Sequence, residues 1–274
     1  MWENFLMAKL NFLLNTFGSL GDLHPYIAVG IGLRDHGHIV TIATSETYRS
    51  RVEAEGLRFH PVRPDIAGLA GSPEAMKHAY HPRTGSEYVM RRVFLPQVGE
   101  MYQDLQKIAE EADVLVAHPL AYAIPAVAEV LGKPWVSVIL QPAVILSAYD
   151  PPSVSGVPQL ERFRKFGPEF WRIFWRISRL VIKKWARPLN ALRRDLGLPQ
   201  VANSFDCMFS PWLNQAWFSP VLASPQPDWP AGLTATGFPI YDKHESNQGL
   251  SPEIEKFLAA GDPPVVFTLG SSAV

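Results

Sequence analysis

The stretch Lys9–Tyr26, KLNFLLNTFGSLGDLHPY, constrains this chain more than any other. An apolar run through Leu10, Phe12, Leu13 and Leu14 stops at Gly18-Ser19-Leu20-Gly21, and a helical spacing continues through Ile27, Val29, Ile31 and Leu33. A strand, a tight glycine turn and a helix, in that order, open a ligand site in α/β domains. Ligands of open parallel sheets gather outside the carboxyl ends of the strands, beside the first such turn. Backbone N–H groups there are unpaired, and the helix dipole favours anions. Gly18 and Gly21 permit backbone angles and close approaches that a Cβ blocks. Asp22 and His24 follow directly, so both can project into the site. The spacing Gly18-x-x-Gly21-Asp22 departs from the G-x-G-x-x-G of dinucleotide sites, which argues against a nicotinamide or flavin. The plain alternative is a strand-to-helix connection with Asp22 as the helix N-cap.

The rest of the chain repeats the rhythm. Strands are expected at 38–44 (HIVTIAT), 57–62 (LRFHPV), 113–118 (DVLVAH), 134–140 (PWVSVIL) and 233–238, with shorter strand material at 207–210 and 215–219. Helices are expected at 46–55, 86–111, 121–131 and 163–187, while 63–85 and 142–160 read as irregular. Alternation with short connections predicts a parallel sheet with right-handed crossovers and helices on its faces. The expected fold class is therefore α/β, a Rossmann-like parallel sheet flanked by helices. In such a sheet the strand ends deliver His118 and Gln141 to the same edge as Asp22.

Composition narrows the function. A formal net charge of −1 argues against a dedicated nucleic-acid binder. Cys207 is the only cysteine, which excludes an intrachain disulfide and makes a reducing, cytoplasmic setting the expectation. Glu3 interrupts the start, no basic stretch precedes an apolar one, and Leu10–Leu14 is too short to span a bilayer. No Asp-x-Asp arrangement suits a divalent ion, so no metal is expected, and no cofactor is expected either.

Residues 163–187 stand apart. Phe170, Phe174, Ile177 and Val181 share one helical face, and Arg172, Arg176, Arg179 and Lys183 share another. From Arg162 to Arg194 there are eleven Lys or Arg against one acid, Glu169. Two compatible readings exist: a helix covering the domain with its cations solvated, or a basic, aromatic helix at an anionic membrane surface, giving a peripheral contact with the inner membrane face.

Near its end the chain passes through a polar stretch (242–250), a helix start at Ser251-Pro252-Glu253, and an apolar strand-like run, Val265–Leu269, entering Gly270-Ser271-Ser272. That run reads as the first element of a second α/β unit. Left alone it would expose an apolar edge strand, which proteins avoid. The expectation is a fragment, or a chain completed by another. The expected organisation is a domain at 1–241, a linker at 242–262, and the first strand and turn of a further domain at 263–274.

The segment FLLNTFGSLGDLHPYIAVGIGLRDHGHIVTIAT resembles the N-terminal opening of the GT-B glycosyltransferases, with Gly18, Ser19, Gly21, Asp22 and Pro25 matching a G-S-x-G-D-x-x-P pattern. The sterol glucosyltransferases and the glycopeptide- and macrolide-antibiotic glycosyltransferases are the nearest of these. GLTATGFPI followed by PPVVFTLGSSAV is similar to that family's crossing into its donor domain. The resemblance thins between 63 and 110 and between 150 and 205.

The resemblance implies an inverting transfer of a hexose from a UDP- or TDP-linked sugar to a hydroxyl of a lipophilic acceptor such as a sterol, lipid or natural product. It implies two Rossmann-like domains with the site between them, the N-terminal one binding acceptor. It places the catalytic base at Asp22, with His24 as the second candidate. The chemistry agrees, because an attacking alcohol must lose its proton to a group within hydrogen-bond reach. Gly18, Ser19 and Gly21, with Gly270, Ser271 and Ser272 across the cleft, would hold the donor phosphates. His118, Gln141, His78 and His81 would line the acceptor side, with His118 either touching acceptor or orienting the base. Two other classes compete: a non-catalytic acceptor- or membrane-binding subunit that needs a donor-domain partner, and a GT-B-like sugar-nucleotide epimerase. The aromatic stretch Phe163–Trp185 argues against the epimerase, which needs no hydrophobic acceptor cleft.

Overall fold

A computed structural model of the chain describes residues 8–65, 72–153, 158–242 and 250–267. Seven strands form one sheet: β1 (Asn11–Asn15), β2 (Ile39–Thr44), β3 (Arg58–Pro61), β4 (Val114–Ala117), β5 (Trp135–Ile139), β6 (Leu213–Ala216) and β7 (Leu233–Ala235). Their order is β3-β2-β1-β4-β5-β6-β7, and every neighbouring pair is parallel. The expected α/β Rossmann-like sheet is thus the fold. β1 lies inside the sheet between β2 and β4, with Asn15 level with Ala43 of β2 and with Ala117 of β4. The carboxyl ends of three strands therefore meet at one place.

Side chains alternate faces along a strand, and both faces here are covered. Leu14, Ile42, Val116 and Val138 pack under α1 (Leu20–Asp35), through Leu23, Tyr26 and Ile27, and under α2 (Arg49–Ala54), through Val52. Leu13, Leu115 and Ala117 face the other way, toward Met101, Leu105 and Val127. This two-sided burial explains why the strands read as nearly continuous apolar runs.

The helices of that second face differ from expectation. Residues 86–111 are not one helix. A short helix α4 (Gly85–Tyr88) leads into a π-helical turn (Val89–Phe94), a 3₁₀ turn (Leu95–Gln97) and then α5 (Val98–Glu110). Pro96 has no N–H to give and its ring crowds the preceding turn, so a regular helix cannot pass through it. The stretch read as irregular, 63–85, holds α3 (Pro73–Ala79), capped by the Ser72 hydroxyl, which accepts from Ala75 N. It is followed in order by α6 (Ile124–Leu131), α7 (Gly167–Ile182), α8 (Arg187–Asp195) and α9 (Pro252–Ala259). No strand forms at 207–210, and the strand expected at 215–219 lies at Leu213–Ala216. Val265, Val266 and Phe267 are exposed and belong to no strand, and Gly270, Ser271 and Ser272 lie outside the described residues. Among the described residues, no helix is long and apolar enough to cross a membrane.

Candidate functional site at the carboxyl edge of the sheet

The glycine turn folds around its own carboxylate. Ser19, not Asp22, is the N-cap of α1, and Asp22 is the third residue of the helix. The Ser19 hydroxyl accepts from Gly21 N at 3.2 Å. Asp22 Oδ2 accepts from Ser19 N at 2.8 Å and from the Ser19 hydroxyl at 3.3 Å. This reciprocal arrangement is a capping box, which satisfies helix N–H groups that otherwise have no partner. Gly18 is demanded by the carboxylate itself. At its φ of +128°, a Cβ would stand 2.0 Å from Asp22 Oδ2. The Thr16 hydroxyl fixes the turn from below by donating to the Asp22 carbonyl at 3.1 Å.

This geometry bears on the expected phosphate cradle. The N–H groups of Ser19 and Gly21 are already engaged within the box. The helix start holds its own anion, Asp22, where a diphosphate was expected.

Asp22 Oδ1 faces His118, with Nε2 at 3.5 Å. His118 follows β4, and its backbone N–H donates to Asn15 O at 3.0 Å, which seats it beside the end of β1. Its Nδ1 accepts from Leu120 N at 3.2 Å. A neutral imidazole with Nδ1 accepting carries its proton on Nε2, so the proton points at the carboxylate. His118 is buried at 9 % exposure, whereas the Asp22 side chain is 32 % exposed and reachable from outside.

Two tyrosines, not foreseen from the sequence, complete the surroundings. The Tyr48 hydroxyl donates to Gly18 O at 2.9 Å. Burial and then the Asp22 charge push its pKa up. Tyr26 is buried against Trp217 and edge-on to His118, with ring centroids 5.0 and 6.4 Å away. Burial, and then the Asp22 charge, raise its phenol well above the ordinary value, and its hydroxyl has no hydrogen-bond partner among the described residues. Tyr26 could have been found by spacing, since it lies four residues, about one helical turn, after Asp22. Tyr48 carries no such signal.

The other expected residues are placed elsewhere or apart. His24 is two positions from Asp22, about 200° around the helix. Its Nε2 lies 3.3 Å from an Arg51 guanidinium nitrogen and its ring is 5.0 Å from that of Tyr241. It is not part of the Asp22–His118 group. Gln141, exposed just after β5, stands on the same sheet edge. His78 stacks on Tyr88 at 5.3 Å, and His81 Nδ1 accepts from the Thr84 N–H and hydroxyl, so both serve their own loop. Among the described residues, no group of three or more His, Cys, Asp or Glu could hold a metal ion. Two hollows, about 350 Å³ beside Trp135 and Arg193 and about 580 Å³ between α5 and α8, include none of these residues. The carboxylate instead lies on an open sheet edge.

A parallel sheet with a reachable carboxylate after its first strand defines a Rossmann-like ligand-binding domain. Residues 12–148 match the glycosyltransferase family 28 N-terminal domain, and the chain belongs to that family. It is 31% identical over 275 residues to an O-mycaminosyltylonolide 6-deoxyallosyltransferase of Streptomyces fradiae, covering 96% of this chain and 62% of that protein. It is 28% identical to a vancomycin aglycone glucosyltransferase of Amycolatopsis orientalis (96% and 61%) and 27% identical to a sterol 3-beta-glucosyltransferase of Debaryomyces hansenii (95% and 16%). The chain thus spans about three fifths of the antibiotic relatives and a small part of the sterol one. Among solved structures, the glycosyltransferase of kitacinnamycin superposes with a TM-score of 0.58 at 19% identity, covering 89% of this chain and 55% of that one. SnogD from Streptomyces nogalater gives 0.55 at 17%, with the same coverage. These likenesses show the GT-B type of fold.

Proposed function

We propose that this chain is the acceptor-binding part of an inverting glycosyltransferase that moves a hexose from a UDP- or TDP-linked sugar to a hydroxyl of a lipophilic acceptor. The observation that carries this reading is Asp22. Its Oδ2 is held by Ser19, and its Oδ1 is turned toward His118 at an accessible sheet edge. Family membership supports it, as do the sterol and antibiotic substrates named for the relatives.

In this reading the acceptor hydroxyl hydrogen-bonds to Asp22. As its oxygen bonds to the anomeric carbon, the proton passes to the carboxylate. The bond from that carbon to the diphosphate breaks on the opposite face, and the diphosphate leaves with the electron pair. Such a base contributes about 10²–10⁴-fold. His118 is a positioning residue: its Nε2–H orients Oδ1, across a gap that a bound acceptor would be expected to tighten. Tyr48 and Thr16 keep the turn in place. Gln141 stands where acceptor would pass. In this reading the donor phosphates fall to Gly270, Ser271 and Ser272 rather than to Ser19 and Gly21, whose N–H groups are engaged within the turn. The only co-substrate required is the nucleotide sugar.

The test is transfer by the full-length protein from UDP- and TDP-hexoses to a panel of sterol and polyketide alcohols, with the anomeric configuration of the product read by NMR. Inversion is expected. Retention of configuration would rule out single displacement with Asp22 as base, and epimerised sugar nucleotide without transfer would favour the epimerase reading.

A further inference from the structure

Helix α7 has three distinct faces. With about 100° per residue, Trp171, Trp175, Ser178 and Ile182 fall on one side. Trp171 and Trp175 are buried there, and Trp175 Nε1 donates to Ser147 O at 3.1 Å. The Ser147 hydroxyl in turn donates to Asp228 Oδ1 at 2.6 Å. These contacts tie the helix to the loop after β5, on the same sheet edge as Asp22. The second face is apolar and bare: Ile173, Ile177, Leu180 and Val181 are 60, 56, 67 and 71 % exposed. Phe166, also exposed, extends that stripe by two turns, with Phe170 between. The third face is a row of exposed cations, Arg172, Arg176, Arg179 and Lys183. Arg172 is engaged by Glu169 and by the Tyr149 hydroxyl. Among the described residues, Arg176, Arg179, Lys183 and Lys184 make no ion pair.

We infer that this face of α7, with the turn before it, seats the protein on an anionic membrane. Bare apolar stripes of this size are unusual on a soluble surface unless something covers them. What covers this one is indicated by its flank. A row of exposed cations, all but Arg172 without an ion pair among the described residues, beside a stripe of Ile, Leu, Val and Phe matches the boundary between anionic headgroups and acyl chains, where interfacial helices sink their apolar face about 5–10 Å. A protein partner would need acids opposite each cation, whereas an anionic leaflet supplies them at any rotation of the helix. The buried tryptophan face holds the helix to the domain, so the other two faces can meet lipid without unfolding anything. Because the helix is tied to the Asp22 edge, a membrane-dissolved alcohol would reach the carboxylate side of the sheet. The lipid contact itself does not depend on what the acceptor is.

Cosedimentation of the full chain with vesicles, in the absence of donor and acceptor, tests this. Vesicles of phosphatidylcholine with a third phosphatidylglycerol should bind it and pure phosphatidylcholine should not, with binding weakening as salt rises. Arg176→Gln with Arg179→Gln should lower the partition coefficient by about 30-fold, from the usual contribution of each surface cation. Ile177→Glu with Leu180→Glu should abolish binding while the melting temperature stays unchanged, since both side chains are exposed. An environment-sensitive dye on Ile177→Cys should shift to the blue only when anionic vesicles are added. Equal binding to neutral vesicles would overturn the inference. So would a dimer in sedimentation that Ile177→Glu with Leu180→Glu dissociates, or a dye already blue-shifted without lipid.

Discussion

At the residue scale, Asp22 depends on the glycine that makes room for it. Gly18 holds a φ of +128°, and any Cβ there would collide with Asp22 Oδ2. Gly18→Ala should therefore break the capping box and displace the carboxylate. The expected cost is about 1–3 kcal/mol of stability together with at least a tenfold loss of transfer, read by thermal melting and initial rates. Gly99→Ala is the control, since nothing lies within 4 Å of a Cβ there; it should leave both unchanged or raise stability slightly. The turn and the residues in it were legible in the sequence because glycine, serine and aspartate have few other uses between an apolar strand and a helix. Which donor served which acceptor was not. Ser19 took the cap and Asp22 the third position, so N–H groups that looked open to phosphate were closed. The pairing of Asp22 with His118 was legible only in part. Both residues were expected on one edge, but their meeting depends on β4 lying directly beside β1, and a sequence does not state strand order.

At the scale of elements, the strongly patterned segments were readable and the short or broken ones were not. β1, β2, β4 and β5 are apolar runs bounded by glycine, proline or charge, while β3, Arg-Phe-His-Pro, was found by the strand–helix rhythm. β6, by contrast, reads Leu-Asn-Gln-Ala and has no apolar signature; its neighbours make it a strand. α3 spans seven residues with none buried, which leaves no periodicity to find. The irregular entry to α5 nonetheless matters, because it sets where α5 docks. There the Asp104 carboxylate receives the Arg63 backbone N–H at 3.0 Å and its guanidinium at 2.9 and 2.7 Å, binding α5 to the chain after β3. Burial pushes the Asp104 carboxyl up, but the Arg63 hydrogen bonds outweigh it and the pKa is lowered. A group whose folded pKa is depressed stabilises the fold above its unfolded pKa and loses that contribution as pH falls through the folded value. Asp104→Asn should accordingly cost about 1 kcal/mol at neutral pH, a modest figure because Arg63 is half exposed to solvent. The gap between variant and wild type should close as pH drops below the usual carboxylate range. Melting curves from pH 7 to pH 3 provide the check; a gap that stays constant across that range would contradict the assigned pairing.

At the scale of the whole molecule, the chain is a closed sheet-and-helix body followed by a stretch that adds nothing to its core. Every described residue from 250 to 267 is exposed, including Phe257 and the Val265-Val266-Phe267 run. Apolar residues left bare in this way are expected to pack against further protein. The direction of the chemistry, however, rests on one carboxylate. The decisive measurement is steady-state transfer by the full-length protein beside its Asp22→Asn variant, which keeps the side-chain size and one acceptor oxygen. With Asp22 as base, kcat is expected to fall by about 10²–10⁴-fold while the KM for the nucleotide sugar changes little. A variant with kcat within about threefold of wild type would mean that Asp22 serves only to cap its helix and that the base lies in another residue.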